Sequence, residues 1–556
     1  MNSFESSPIP SCRGFVPLLS LAVLLLTCFA LDPAGDRPGG WEGPGLTLDE
    51  PFHVAQGVQL AGRVFAGDLA GFRRVDSQLI DHPPLGRLWL GVVHEFAFLA
   101  APPVDPAVPY SIRCARIGSA ILFALTVWRL GCFAQQAWGF VAGGGAALAL
   151  TLMPRSFGHG HLASLETPVN LCYLLCLLAV AEPALQSTPS GRRATAPLRF
   201  IDPSASWPIL IRVACHAGFW LGLALLTKMQ AVFLPVILAI WALGWLRTRS
   251  VPWLLVLGGV AAAVFLLGWP HLWSDPFQLA WRYFTRSTER ISLLVWYQGR
   301  PVPDREVPWH YPWVVFSLSV PLGLQLLGLI GGLHALRSPR KFPAETLLLL
   351  GVCVPLLIFS LPGVPVYDSE RLFSVVYPPW AALIGKGAQV VYGWCQNRCS
   401  ELGRPRWQIA CLLLLGCTQG VGLFRTAPCW LQYYNLACGG LPGAVRLGLS
   451  PGYWGDGLTS QLLRDVARHV PPGSTLQLAP VLYPAQCDEL LRQAYPLKER
   501  RIRLIPRGTA APGESVFTLL YNRPEYLPVE LQTASPDWVL VKSCEGVWQA
   551  GLFREH

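Results

Sequence analysis

Charge is what this sequence has least of. Asp, Glu, Lys and Arg make up only 14 % of its 556 residues, where an ordinary soluble domain carries about 25 %. A chain so poor in charge cannot coat a water-soluble body of this size, so that class is excluded. Sixteen cysteines are present, but no CxxC metal spacing accompanies them, and most lie in greasy stretches where Cys acts as a small apolar residue. A zinc or disulfide framework is therefore excluded for the bulk of the chain. Only Cys429, Cys438, Cys487 and Cys544, in the last quarter, are left to pair, in any of three connectivities. No internal repeat and no long low-complexity tract is visible. The missing repeat weighs against a secondary transporter, whose halves usually mirror one another.

What is abundant is apolar sequence, 52 % of the chain. About eleven runs approach the roughly 20 residues that a helix needs to cross a bilayer. They lie near 14–31, 113–133, 137–153, 167–183, 209–226, 229–246, 251–269, 312–333, 343–361, 371–391 and 407–424. The formal net charge of +10 would suggest nucleic acid in a soluble protein. Here the basic residues gather in short loops: Arg192, Arg193 and Arg199; Arg247 and Arg249; Arg337, Arg340 and Lys341; Arg398, Arg404 and Arg406. With the N-terminus inside, all of these loops are cytoplasmic, as the positive-inside rule requires, and no nucleic-acid partner is expected. The same parity places 32–112, 154–166, 270–311, 362–370 and 425–556 outside. The first run is either an uncleaved span or a brief signal peptide ending in small residues; both leave 32–112 outside. The expected fold is an all-α polytopic membrane bundle of about eleven transmembrane helices over 1–424, in a plasma or inner membrane. A small external α/β domain follows over 425–556, where Leu458–Val470 has helical spacing and TLQLAPVL, SVFTLLY and DWVLVK alternate as strands.

The scarce charges concentrate in the first external segment. LTLDEPFH carries Asp49, Glu50 and His53, and DHPPLGR carries Asp81, His82 and Arg87. Asp49 as a helix N-cap would put Pro51 at the tolerated second helical position, whereas Thr47 as the cap would put it fourth, where its ring conflicts with the first turn. Capping alone would explain Asp49. It does not call for a second carboxylate beside it and a histidine one turn on. In the second stretch two prolines stiffen the chain and hold Asp81, His82 and Arg87 in place, or simply make a membrane-surface turn.

An acidic pair in the first external loop, followed some thirty residues later by His82-Pro83-Pro84-Leu85, resembles the protein O-mannosyltransferases and lipid A aminoarabinose transferases of the polytopic C-type glycosyltransferase superfamily. The likeness runs on in order through PRSFGHGHLASLETP, LTKMQAVFLP, WPHLWSDP, PWHYP and YDSERLF, over roughly 45–390. Two departures stand out: Glu166 occupies a place where many relatives have Asp, and the C-terminal part is unlike the sugar-binding trefoil of the eukaryotic mannosyltransferases. The resemblance implies transfer of a sugar from a polyprenyl-phosphate carrier to an acceptor hydroxyl of a protein, glycolipid or glycan, with inversion. It implies Asp49 as catalytic base and Glu50 as its acidic partner.

Residue chemistry is consistent with that implication. An attacking alcohol needs a carboxylate to take its proton, and a departing phosphate needs positive charge, not a general acid. Arg87, Lys228 and Arg371 are candidates for the phosphate, with His82 as hydrogen-bond donor. Lys228 interrupts the nearly uniform apolar run LALLTKMQAVFLP; it meets an anion or snorkels to the surface. His159, His161 and Glu166 are expected to touch sugar hydroxyls or the lipid head. Metal and cofactor are expected to be absent. A divalent cation held by His159, His161 and Glu166 with Asp49, His53 and His82 is the alternative, disfavoured because i,i+2 histidines point to opposite sides of a helix. The aromatic-rich loop from Trp273 to Pro312 is a candidate lid, and Tyr433, Tyr434, Asn435, Tyr453, Trp454 and Asp456 either close over the external cavity or merely join two domains. Two other classes compete: a transporter, and a membrane scaffold in which these charges would have no shared purpose.

Overall fold

The computed structural model describes residues 14–32, 42–78, 81–102, 105, 108–182, 205–288, 291–337, 339, 343–403, 405–510, 517–528, 530–531 and 537–554. Arg192, Arg193, Arg199, Arg340, Lys341, Arg404 and most of the linker after Gln186 lie outside the described residues. Each apolar run is helical, at Phe15–Phe29, Ile112–Trp138, Phe140–Leu152, Glu166–Ala181, Trp207–Leu225, Phe233–Trp245, Ser250–Gly268, Tyr311–Arg337, Pro343–Phe359, Tyr377–Arg398 and Pro405–Thr426, with short breaks inside some. Among the described residues, four helices are alone long and apolar enough to cross a bilayer: Ile112–Trp138, Trp207–Leu225, Arg247–Gly268 and Pro405–Thr426. Five others are shorter apolar helices.

One expected span is not continuous. The run at 312–333 forms two helices, Tyr311–Ser319 and Leu322–Arg337, bent by 115°. Pro321 explains the break: it lacks an N–H and drives the preceding residue out of the helical region, and Val320 is extended at φ −104°, ψ 135°.

The charge-bearing stretch after the first apolar run is folded into helices Glu50–Phe65, Leu69–Asp76 and Pro84–Ala100. The first and third cross where Gly57 faces Gly91, and a Cβ on either would overlap the other helix's backbone. Asp68 caps the middle helix by accepting from Gly71 N at 2.8 Å. Trp269, fully buried, donates its indole N–H to Asp76 at 2.6 Å and ties this unit to the turn after Ser250–Gly268. The Leu85 N–H, an orphan donor in the first turn of its helix, bonds the carbonyl of Leu226 at 3.0 Å. That bond docks the HPPL stretch against the turn holding Lys228.

Strands β1 (Leu294–Tyr297) and β2 (Arg300–Pro303) form an antiparallel hairpin within the aromatic loop. The C-terminal part holds β3 (Thr475–Ala479), β4 (Arg503–Pro506), β5 (Phe517–Tyr521), β6 (Trp538–Cys544) and β7 (Val547–Arg554), ordered β4-β3-β5-β7-β6. β3 pairs in parallel with β4 and β5, and β7 antiparallel with β5 and β6. β3 and β5 are buried throughout, whereas edge strand β6 alternates between half-buried and exposed. The helix expected at Leu458–Val470 spans Ser460–His469. Cys429, Cys438, Cys487 and Cys544 all carry free thiols.

The change of composition after Phe424 is not a gap in packing. Cys429, Trp430, Tyr434, Leu441 and Leu449 belong to the core formed by the apolar helices. Residues 45–48 run beside 454–458 with backbone bonds Gly45 N to Asp456 O, Leu46 N to Leu458 O and Leu48 N to Trp454 O, at 2.7, 3.3 and 3.3 Å. The chain entering the Asp49 helix is thus held by the C-terminal segment.

Candidate active site

Asp49 occupies the N-cap position of its helix, with Pro51 in the first turn, but its side chain caps nothing. It turns instead to Arg371, whose Nη2 donates to Asp49 Oδ2 at 2.6 Å. The same guanidinium gives Nε to Glu166 Oε1 at 3.0 Å and Nη1 to Asp368 Oδ2 at 3.0 Å. Its face lies on Trp454, with Cζ 3.5 Å from the ring centroid. Lys228 Nζ completes the cluster by donating to Glu166 Oε1 at 2.5 Å. Lys228 is 3 % exposed, so it does not snorkel; its charge is met inside the protein. The Asp49 side chain keeps 37 % of its surface open, while Glu166 is completely buried. Burial raises the Asp49 pKa above the usual carboxylate value, and Arg371 opposes that rise.

The backbone here is strained. Asp368 and Ser369 are consecutive left-handed residues at φ 52° and 56°, and Trp454 has φ 45°. Non-glycine residues occupy this region at a cost of roughly 1–3 kcal/mol each, and such strain gathers at functional sites. The turn delivers Asp368 to Arg371 on one side and to Arg523 on the other, where Arg523 Nη2 donates to Asp368 Oδ1 at 2.8 Å.

Glu50, expected as a second catalytic carboxylate, is placed otherwise. It is fully buried and takes five hydrogen bonds: Arg116 Nε and Nη2 at 2.7 Å each, Ala163 N at 2.7 Å, Thr47 Oγ1 at 2.9 Å and Thr47 N at 3.0 Å. Both oxygens are committed to the frame, and no face is open to a reactant. Arg87 is also turned away from the Asp49 cluster: it donates Nη2 to Asp81 at 2.7 Å, Nε to His53 at 3.3 Å and Nη1 to Gln56. His82 lies beside His53, ring centroids 5.8 Å apart, and burial lowers its pKa to about 3, which leaves it neutral. His159 faces Glu370 at 3.4 Å. His161 donates Nδ1–H to the Phe157 carbonyl at 2.7 Å and lies against Trp430. Among the described residues no three His, Cys, Asp or Glu groups converge on one point.

Three arginines escaped sequence reasoning. Arg116 holds Glu50. Arg155 donates to Glu370, to Ser369 Oγ at 2.5 Å and to the Tyr433 carbonyl at 2.9 Å. Arg523 comes from the C-terminal part. Arg155 interrupts the apolar run LTLMPRSFG, the same signal that singled out Lys228; Arg523, in a loop of ordinary composition, has no such mark.

No family model matches the chain, and no curated protein matches it. Among solved structures it is similar to ArnT from Cupriavidus metallidurans bound to undecaprenyl phosphate, at 16 % identity and TM-score 0.48 over 98 % of each chain. It is similar also to the archaeal oligosaccharyltransferase AglB from Archaeoglobus fulgidus in complex with an inhibitory peptide and a dolichol-phosphate. There the identity is 11 % and the TM-score 0.46, over 92 % of this chain and 69 % of that one. The S. cerevisiae protein O-mannosyltransferase Pmt1-Pmt2 complex bound to the sugar donor aligns at 14 % identity and TM-score 0.31, over 50 % and 35 %.

Proposed function

We propose that this protein is an integral-membrane glycosyltransferase that moves a sugar from a polyprenyl-phosphate donor to an acceptor hydroxyl, with inversion, on the non-cytoplasmic side. In this reading the N-terminus is cytoplasmic and the C-terminal part external. The observation that carries it is the cluster around Arg371, where one guanidinium joins a partly open carboxylate, Asp49, to a buried ion pair, Glu166 with Lys228.

The chemistry follows from that arrangement. The acceptor oxygen bonds to the anomeric carbon and passes its proton to Asp49, while the bond from that carbon to the phosphate oxygen breaks and its electron pair leaves with the phosphate. Lys228 and Arg371 neutralise the departing charge, and His82, neutral beside them, supplies a hydrogen bond. A phosphate drawn to Arg371 competes with Asp49 for the guanidinium. Asp49 then becomes a stronger base only when the donor is in place. Glu166 keeps the two cations together until the phosphate arrives. Glu50, Arg87 and His161 hold the frame, with His159 placed beside Glu370. The reading calls for no cofactor.

The test is transfer from a panel of radiolabelled polyprenyl-phosphate sugars by the full chain in nanodiscs, with membrane extract as acceptor. Release of lipid phosphate with label in the acceptor supports the reading. Absence of turnover and of donor binding across the panel would favour the transporter class.

A further inference from the structure

A recess opens where hairpin β1–β2, the Asp368 turn and the C-terminal part meet, lined in part by Trp454, whose ring carries the Arg371 guanidinium. It measures about 350 Å³ including its mouth and is lined by Trp296, Tyr453, Trp454, Asp368, Arg523 and Glu525, among others. The space in it that a water-sized group can occupy is about 20 Å³, room for a hydroxyl or a water and not for a whole ring. Arg523 Nε donates to Glu525 Oε1 at 3.0 Å, and both side chains are more than nine-tenths buried. Yet among the described residues Arg523 Nη1, Glu525 Oε2 and Tyr453 Oη are buried with no hydrogen-bond partner. One unmet donor, one unmet acceptor and one group that serves as either therefore lie on residues of one small recess.

Buried polar groups left without partners cost about 1–3 kcal/mol each, so they identify what belongs there. A hydroxyl donates and accepts at once, which suits Arg523 and Glu525 together. A simple anion does not fit, because two carboxylates, Asp368 and Glu525, flank the single guanidinium. The mouth is walled by the half-buried ring of Trp296, a surface for the apolar C–H face of a sugar.

Position assigns the ligand. Around the rim of the Arg371 guanidinium, Nε holds Glu166 with Lys228, Nη2 holds Asp49, and Nη1 holds Asp368 with Arg523. Asp49 thus stands between the Lys228 flank, where the phosphate belongs, and the Arg523 flank. We infer that the recess takes one hydroxyl of an acceptor saccharide whose ring rests against Trp296 outside it, so that the hydroxyl glycosylated belongs to a sugar, of a glycan or a glycolipid, and not to a Ser or Thr side chain. This inference rests on the transfer reading above.

The test is saturation-transfer NMR on the full chain in nanodiscs. The probes are methyl hexopyranosides and methyl pentopyranosides in solution, monoglycosyl diacylglycerols in the bilayer, and a Thr-containing peptide. Saccharide binding that weakens at least tenfold in Arg523→Gln and in Trp296→Ala, and persists in Asp49→Asn, supports the subsite. Binding from the soluble arm marks a glycan acceptor, and binding confined to the bilayer arm marks a glycolipid. If Arg523→Gln does not fold, Trp296→Ala, on a half-buried hairpin residue, decides. The inference is overturned if neither saccharide arm binds, if binding is unchanged in the variants that fold, or if the peptide binds and the saccharides do not. Arg523-dependent saccharide binding without any sugar transfer would sink the transfer reading and leave the subsite standing.

Discussion

Asp49 and Glu50 are neighbours in sequence and opposites in setting, and replacing Glu50 tests that contrast. Glu50→Gln keeps the shape but removes the charge opposite Arg116 and turns an amide N–H₂ toward donors where an oxygen now accepts. All five hydrogen bonds, from Arg116, Ala163 and Thr47, lie at 2.7–3.0 Å, and both Glu50 and Arg116 are fully buried. Breaking one side of such a pair costs about 3–5 kcal/mol, because the other charge stays buried. Arg116 retains the carbonyls of Asp32, Pro44 and Gly45 at 3.2, 2.8 and 2.7 Å, which soften the loss and place the expectation at the lower end, about 3 kcal/mol. Denaturation in detergent, followed by tryptophan fluorescence, reads the loss directly. The double variant Glu50→Gln with Arg116→Met should cost less than the sum of the singles by about 1–3 kcal/mol, since it leaves no lone charge. A Glu50→Gln protein as stable as wild type yet unable to transfer sugar would refute the reasoning and return Glu50 to the chemistry.

Two further outcomes follow from the same structure. Lys228→Met should weaken binding of a polyprenyl-phosphate sugar by roughly 30-fold or more, as loss of one partner of a buried charge pair costs about 2–5 kcal/mol; titration of the labelled donor checks it, and unchanged affinity would remove Lys228 from the phosphate site. Asp456, buried with Oδ1 accepting from Gln432 at 2.9 Å, has its pKa raised by burial to about 7. A carboxyl with a raised folded-state pKa stabilises fully below its ordinary value near 4 and loses that stability as pH rises through 7. At about 1.4 kcal/mol per pH unit the ceiling is about 4 kcal/mol. Asp456→Asn should therefore match wild type only below about pH 4, gain on it between about pH 4 and 7, and exceed it fully at pH 8 in thermal melts, and equal pH dependence in the two proteins would contradict this.

Much of the fold was legible because lipid leaves few choices: backbone without water must be helical, so long apolar runs became helices at the places expected. Strands β3, β5 and β6 were legible from their patterning. β4, only four residues long, and β7 carry too little pattern to stand out. The bend after Ser319 had a visible cause in Pro321, hidden because the hydropathy of the run continues across it. In the site, Asp49, Glu166, Lys228 and Arg371 could be named from residue type and motif order. Their pairing could not be, since Asp49 and Arg371 are 322 positions apart. The roles of the adjacent carboxylates also depend on what surrounds them: Arg116 and Ala163 reach Glu50, while Arg371 reaches Asp49. Arg523 arrives through the C-terminal fold, which no local signal announces.

The central claim is that Asp49 takes the acceptor proton in glycosyl transfer. Its most direct test is single-turnover transfer from the active polyprenyl-phosphate sugar by wild type and Asp49→Asn, with donor affinity measured on the same samples. The account predicts a fall of about 10²–10⁴-fold in the rate of transfer, with donor binding retained and the fold unchanged. Transfer by Asp49→Asn at the wild-type rate would contradict it.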